Sequence, residues 1–241
     1  MRATAERVAG GHGLETAPAA ERAAALALLP IGGTALFYAL PAELQREPWL
    51  QFLPQSLAYL ALITWRFRNT GVVERLGLKI DRFPEGVRWG LVTGLLLGAV
   101  NTLVILRLIP WLGHDIAFLK DTPHAKVPAA LMLPWTIVLI AVFVELNFRG
   151  FILGRLLALG RNTLGARADR FAPPAAVMTS ALAFAFDPFM VATFQHLHWI
   201  AVWDGLIWGA IWIRLRNLYA TIVAHATEVM VMYVVVRAAL A

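Results

Sequence analysis

The chain has 241 residues, of which 59% are hydrophobic and 15% charged, with a formal net charge of +6 and a mean hydropathy of +0.67. Soluble domains average about 45–50% apolar and about 25% charged residues, so this chain has too little polar surface to cover a soluble globule. It contains no cysteine, which excludes disulfides, thiolate metal sites and cysteine nucleophiles. The basic residues fall in alternate loops between apolar stretches, which favours a membrane protein over a nucleic-acid-binding one.

The apolar stretches predict an all-α, polytopic transmembrane bundle of about seven spans, because a span needs about 20 mostly apolar residues. Residues 1–22 are polar and lack the apolar core of a signal peptide, so we expect a disordered N-terminal tail. Residues 23–66 are expected to form two N-terminal transmembrane helices, and residues 67–241 a transmembrane core. In chain order, the predicted spans are Ala23–Leu40, Pro48–Trp65, Trp89–Leu106, Ala129–Leu153, Pro174–Phe186 with a continuation to Val191, Trp199–Ile213 and Leu218–Val236.

The fifth and sixth spans are interrupted by Pro188, His196 and His198, which predicts a short, broken or re-entrant helix there. Arginines and lysines cluster after spans two, four and six, whereas the intervening loops carry few. Because basic loops stay in the cytoplasm, the N-terminus is predicted inside and the C-terminus outside. The expected location is a bacterial cytoplasmic (inner) membrane.

Span three carries four glycines, each four residues from the last: Gly86, Gly90, Gly94 and Gly98. This spacing puts them on one helix face, where another backbone can approach closely. We expect tight packing within the bundle, and dimerisation through this face is the alternative. Gly205 and Gly209 repeat the pattern in span six.

Ionisable residues inside spans four and seven form the candidate site, because a charged group in hydrocarbon costs about 2.5–3.5 kcal/mol. Glu145 and Arg149 stand four residues apart and share a helix face. His225 lies at a depth of roughly 10–12 Å in span seven, at about 1.5 Å per residue, and Glu145 reaches a similar depth. The match predicts one site shared by two helices. The alternatives are a self-neutralising Glu145–Arg149 pair and a packed, hydrogen-bonded His225.

Four further ionisable residues fall between these two groups. Asp187 and Asp204 lie within or beside apolar sequence, whereas His196 and His198 suit an outer membrane interface without any function. The sequence contains no HExxH metal motif, no glycine-rich phosphate loop and no GxSxG elbow. It therefore requires no cofactor, and a divalent metal is left open.

Several motifs resemble those of the CPBP family of intramembrane proteases, which comprises CAAX proteases and bacteriocin-processing enzymes. The family is marked by a Glu-Glu-x-x-x-Arg motif, and Glu145-Leu-Asn-Phe-Arg149-Gly150 is similar to its second Glu and its Arg. A glycine-spaced helix, a short basic turn and a helix bearing His also follow the family pattern, at residues 205–209, 214–218 and 222–226. The resemblance covers about residues 70–236, so that the core at 67–241 is expected to be CPBP-like.

Three positions depart from the family pattern. Val144 stands where the family has the first Glu, which helps to activate the attacking water. Asp187 stands in place of the His of the middle motif. Val229 stands where an Asn is expected, with Glu228 beside it.

The resemblance implies an intramembrane endopeptidase that hydrolyses a peptide bond of a membrane-associated protein or peptide, with the lipid bilayer and that substrate as its partners and no nucleic acid. Glu145, with Asp187, would act as general base, Arg149 would pair with the carboxylate, and His225 would donate to the oxyanion or the leaving amine. The site is expected to open to the cytoplasmic half of the bilayer, with a water-sized gap between Glu145 and either Asp187 or His225.

Two alternatives stay open from the sequence. The first is a catalytically inactive CPBP-like membrane scaffold or immunity protein, in which the same residues would form direct ion pairs without a gap. The second is a small transporter that uses Glu145, Asp187 and His225 as a proton path, for which ionisable residues spread through the bilayer would be typical.

Overall fold

The described chain is almost entirely helical. The computed structural model describes residues 21–241, and within this range it contains helices and turns but no strand. The predicted all-α class is therefore confirmed. Residues 1–20 of the predicted tail lie outside the described residues. The last two residues of that tail, Glu21 and Arg22, contact the bundle through Trp65 and Asn69.

Nine α-helices of seven residues or more lie within residues 21–241, and we number them in chain order: α1 Leu28–Tyr38, α2 Leu53–Arg68, α3 Phe83–Leu103, α4 Ile137–Glu145, α5 Gly154–Leu164, α6 Ala168–Ala185, α7 Pro188–Phe194, α8 Ile200–Leu215 and α9 Leu218–Leu240. Turns of π-helix occupy Val104–Leu108, Met132–Thr136 and Leu146–Leu153. The shorter α-helices are Ala42–Gln45, Pro48–Gln51, Val72–Leu76, Ile109–Trp111, Pro123–Lys126 and Ala129–Leu131. Short 3₁₀ turns occupy Ala24–Ala27, Ile80–Arg82, Ala117–Asp121, Gly165–Arg167 and Gln195–Leu197.

Three helical stretches are long and apolar enough to cross a membrane by themselves: Val72–Trp111, Ile137–Leu164 and Leu218–Leu240. The segments Ala168–Ala185 and Pro188–Leu197 pass the same test only together, with a bend of 53° between them. The chain is therefore an integral membrane protein with three or four helices of full span length among residues 21–241. The three remaining predicted spans coincide with α1, α2 and α8, which have 11, 16 and 16 residues. The predicted count of seven spans stays a prediction.

The bend between α6 and α7 follows from the local sequence. Pro188 opens α7, where its missing N–H costs no helical hydrogen bond. Asp187 is the N-cap, and its side chain accepts hydrogen bonds from the backbone N–H groups of Phe189 and Met190 over 3.1 and 3.3 Å. The broken helix that the sequence predicts at Pro188 is therefore present.

The glycine face of α3 packs against α9. A Cβ added at any of the four glycines would lie 2.5–2.8 Å from an atom of α9, closer than real Cβ contacts come. The predicted packing within the bundle is confirmed, because a helix of the same chain covers this face. In the same way, Gly205 and Gly209 of α8 face Ala181 and Val177 of α6.

The variant Gly94→Ala is expected to lower the free energy of unfolding by about 1–3 kcal/mol, because the added methyl overpacks the α3–α9 contact. Its Cβ would lie 2.5 Å from the backbone oxygen of Ala224 and 2.7 Å from Cβ of Thr227. The measurement is the midpoint of unfolding in detergent. Gly32→Ala in α1 is the matched control, since no heavy atom lies within 4 Å of its added Cβ. Equal midpoints for the two variants would contradict the packing argument.

Candidate active site

Three of the predicted site residues meet in the centre of the bundle. Glu145 ends α4, Arg149 lies in the π-helical turn that follows, and His225 faces them from α9. Arg149 Nη1 donates to Glu145 Oε1 over 3.0 Å, and His225 Nδ1 lies 3.0 Å from the same oxygen. The exposed fractions of Glu145, Arg149 and His225 are 0%, 1% and 6%. Ionisable residues from two predicted spans thus share one buried contact, as their matching depth predicts.

Aromatic rings enclose the charged groups. The Arg149 guanidinium lies over the rings of Phe184 and Trp208, 4.5 and 4.9 Å from their centroids. His225 stacks on Trp208 with ring centroids 4.7 Å apart. A cation over aromatic faces is attracted by their electron density, so the rings help to stabilise the buried arginine. The Glu145–Arg149 pair engages only one atom of each group, and Glu145 Oε2 and Arg149 Nη2 lack partners among residues 21–241.

Asp187 has different neighbours. Besides capping α7, its Oδ1 accepts a hydrogen bond from Gln55 Nε2 of α2 over 2.6 Å. None of the hydrogen bonds described for Asp187 reaches Glu145, Arg149 or His225. The expectation that Asp187 joins these residues is therefore not met by its contacts, because the break at Pro188 engages the carboxylate as a helix cap. A catalytic role for Asp187 stays a prediction.

The two histidines near the predicted outer interface lie in an aromatic environment. His196 stacks on His114 with centroids 5.0 Å apart, and the Phe118 ring lies 5.2 Å away. His198 Nδ1 lies 2.6 Å from the carbonyl oxygen of Gln195. In the part of the chain that the structure describes, no group of three or more His, Asp or Glu residues is arranged to hold a metal ion.

A second polar cluster lies beside the first and includes residues that the sequence motifs did not identify. Asn101 of α3 donates through Nδ2 to both oxygens of Asp204, over 3.1 and 3.2 Å, and to Glu228 Oε1 over 2.6 Å. Its Oδ1 accepts a hydrogen bond from Trp203 Nε1 over 2.9 Å. Asn101, Asp204 and Glu228 are all buried. The signal available in the sequence is that each is a polar residue within an apolar span.

A cavity of about 580 Å³ connects the two clusters. Its polar wall includes His225, Asp204 and Glu228, and Trp208 and Phe184 lie on the same wall. The rest is mainly apolar, with Ile105, Ile137, Met190, Phe194, Ile200 and Met232 among the lining residues. Pockets of this kind, apolar with a few convergent polar groups, are typical of small-molecule and peptide sites.

The cavity runs away from the basic loops. Beyond His225 it is lined by Leu119, Lys120, His124 and, at the C-terminal end of α9, Arg237. These residues belong to the predicted outer loop and to the C-terminal end of the last span. In the predicted orientation these residues lie towards the outer half of the bilayer, whereas the sequence predicts an opening to the cytoplasmic half, and that opening stays a prediction. The depth of His225 predicted a site but did not indicate which side of it is open.

Part of this chain matches a known protein family. Residues 126–231 match the family described as type II CAAX prenyl endopeptidase Rce1-like. The matched region includes Glu145, Arg149, Asp204, His225 and Glu228, whereas Asn101 lies before it. No curated protein and no solved structure is similar enough to this chain to count as a match. The resemblance to the CPBP family is confirmed, since residues 126–231 are similar to its CAAX-protease members.

Proposed function

We propose that this chain is an intramembrane endopeptidase in which His225, oriented by Glu145, activates the water that attacks a peptide bond. The observation that supports the proposal most directly is the position of His225. It contacts Glu145 on one side and lines the cavity on the other. At the level of the family, the match to CAAX-type endopeptidases supports a protease of this kind.

The contacts favour His225 over Glu145 as the base. Glu145 Oε1 is engaged by both Arg149 Nη1 and His225 Nδ1, and Glu145 does not line the cavity. If Nδ1 carries the proton and donates it to Glu145, Nε2 is left to accept a proton from water. A buried carboxylate holds an imidazole in the tautomer and orientation that this step needs.

The direct contact between Glu145 and His225 does not select the inactive scaffold. The sequence predicts a water-sized gap between Glu145 and either Asp187 or His225, on the assumption that Glu145 is the base. With His225 as the base, the space for water lies on the cavity side of the imidazole. Trp208 Nε1 is a buried donor without a partner among the described residues, and Trp208 lines the same cavity. Such a donor suits the negative charge that develops on the carbonyl oxygen.

Two peptides test the proposal and the substrate class together. One is an internally quenched peptide that ends in a prenylated CAAX sequence, as the family description suggests, and the other is its unprenylated form. The purified chain in lipid vesicles is expected to cleave at least one of them. The variant Met232→Trp, which fills part of the cavity wall, should raise KM by about tenfold, because a pocket contact worth about 1–3 kcal/mol is lost. Failure of the wild-type chain to cleave either peptide would favour the inactive scaffold.

We also propose the orientation that the loop charges predict, with the N-terminus in the cytoplasm and the C-terminus outside. Because the chain has no cysteine, Lys120→Cys introduces a single thiol in an exposed loop that also lines the cavity. A membrane-impermeant maleimide added to intact cells should label it. Labelling only after the cells are opened would reverse the orientation and turn the cavity towards the cytoplasm.

A further inference from the structure

Two acidic residues on the cavity wall accept hydrogen bonds from the same amide nitrogen. Asp204 of α8 and Glu228 of α9 are 5% and 1% exposed, and oxygens of both carboxyl groups lie within 3.2 Å of Asn101 Nδ2. Two carboxyl groups held this close in a buried site cannot both ionise, because like charges repel strongly where water is excluded. The pair therefore holds a single proton and a single negative charge.

Asn101 keeps this arrangement in place. Its side-chain oxygen is bonded to Trp203 Nε1, which leaves its amide nitrogen pointing at the two acids. Both acids thus receive their hydrogen bonds from one amide, and Asn101 cannot serve as their acceptor. The proton that the pair holds therefore lies on one of the two carboxyl groups.

Glu228 also has a side-chain oxygen without a hydrogen-bond partner among the described residues. Glu228 Oε2 is buried and has no hydrogen-bond partner among residues 21–241, although Glu228 and Asp204 both line the cavity. An unsatisfied buried oxygen costs free energy, which a polar atom bound in the cavity would recover. His225 lies on the same wall, three residues before Glu228 and thus on the same face of α9.

We infer that the Asp204–Glu228 pair is the proton donor to the leaving amine, an inference that rests on the proposed peptidase function. His225 Nε2 takes a proton from water, and the hydroxide oxygen bonds to the carbonyl carbon. The carbon–nitrogen bond then breaks, and the nitrogen receives the proton of the carboxyl pair and leaves as a neutral amine. The proton on His225 returns to the pair, one helical turn away, and both groups regain their starting states.

In this assignment, His225 and the carboxyl pair supply the base and the acid in a chain that has Val144 and Val229 where the family has a Glu and an Asn. The acid and the base then lie on one face of α9, with Asp204 reaching them from α8. Asn101 is a positioning residue in this arrangement, because it contacts both carboxyl groups and does not line the cavity.

The kinetic test compares a quenched peptide with its depsipeptide analogue, in which an ester replaces the scissile amide. An alkoxide leaves more readily than an amine and depends less on a proton donor. In Glu228→Gln and in Asp204→Asn, we expect amide cleavage to fall by about 10²–10⁴-fold and ester cleavage by less than about tenfold. The control is Glu43→Gln, which changes an exposed acid that does not line the cavity and should leave both rates unchanged.

The outcomes separate this inference from the proposed function. If the wild-type chain cleaves both substrates but the two variants lose amide and ester cleavage equally, or lose neither, the carboxyl pair is not the acid while the peptidase proposal stands. If the wild-type chain cleaves neither substrate, the peptidase proposal fails, and the assignment of the carboxyl pair as its acid fails with it.

An infrared measurement tests the proton itself without any substrate. The difference spectrum between the wild-type chain and Asp204→Asn/Glu228→Gln in lipid should show the loss of one protonated carboxyl band and one carboxylate band. Loss of carboxylate bands alone would mean that both acids are ionised, and loss of protonated bands alone that neither is. Either result would overturn the inference, whatever the activity.

Discussion

Replacement of Arg149 by leucine is expected to lower the free energy of unfolding by about 3–5 kcal/mol, because it leaves the Glu145 carboxylate buried without its cation. Glu145 is 0% exposed, so water cannot substitute for the guanidinium. The contacts of Arg149 with the rings of Phe184 and Trp208 are lost as well. The measurement is the unfolding midpoint in mixed detergent micelles, together with the yield of folded protein.

Two further variants separate the loss of the buried ion pair from the loss of a charge and from the loss of packing. Arg68→Leu, at the exposed end of α2, removes the same charge and should change stability by no more than about 0.5 kcal/mol. The double variant Glu145→Leu/Arg149→Leu should be more stable than Arg149→Leu alone, because an apolar pair carries no uncompensated charge. A double variant that is no more stable than the single one would show that Arg149 acts mainly through packing.

The variant His225→Gln is expected to reduce kcat for peptide cleavage by about 10²–10⁴-fold, with KM changed little, because it removes the base and leaves the cavity in place. Glu145→Gln should cause a similar loss, since a glutamine amide can donate to Nδ1 and so favour the tautomer with a proton on Nε2. Both effects are measured as kcat and KM with the quenched peptide that the wild-type chain cleaves.

The double variant Glu145→Gln/His225→Gln decides whether the two residues act together. If Glu145 works only by orienting His225, the double variant should be no slower than His225→Gln, because residues that act as one unit give non-additive losses. Additive losses would instead indicate that Glu145 has a separate role, as the sequence-based assignment of Glu145 as base requires. Unchanged kcat in His225→Gln would contradict the proposed mechanism.

The sequence by itself determined the features that depend on residues close together in the chain. The apolar stretches, the glycine face of α3 and the break at Pro188 each follow from spacing within one helix or from a residue's own backbone requirement. The pair of Glu145 and Arg149 belongs to the same class, because their separation of four residues places them side by side on any helix.

The contact between Glu145 and His225 was predictable for a different reason. A membrane confines its helices to one direction, so the depth of a residue can be counted from the end of its span. Two ionisable groups at the same depth can avoid lipid by meeting, and their 3.0 Å contact shows that they do. Depth gave no information on rotation about the helix axis, so the sequence did not show that His225 lines the cavity and Glu145 does not.

Only the tertiary structure decided which further acids belong to the site. Asp187 and Asp204 are both acids in apolar sequence, and only Pro188, which follows Asp187, distinguishes them locally. The fold places Asp187 at the start of α7, where backbone N–H groups need an acceptor, and places Asp204 against Asn101 of α3, which also contacts Glu228 of α9. Asp187 caps a helix through its own chain neighbours, whereas Asp204 takes the partners that the packing of distant helices brings to it, so its place in a polar cluster on the cavity wall did not follow from its sequence context.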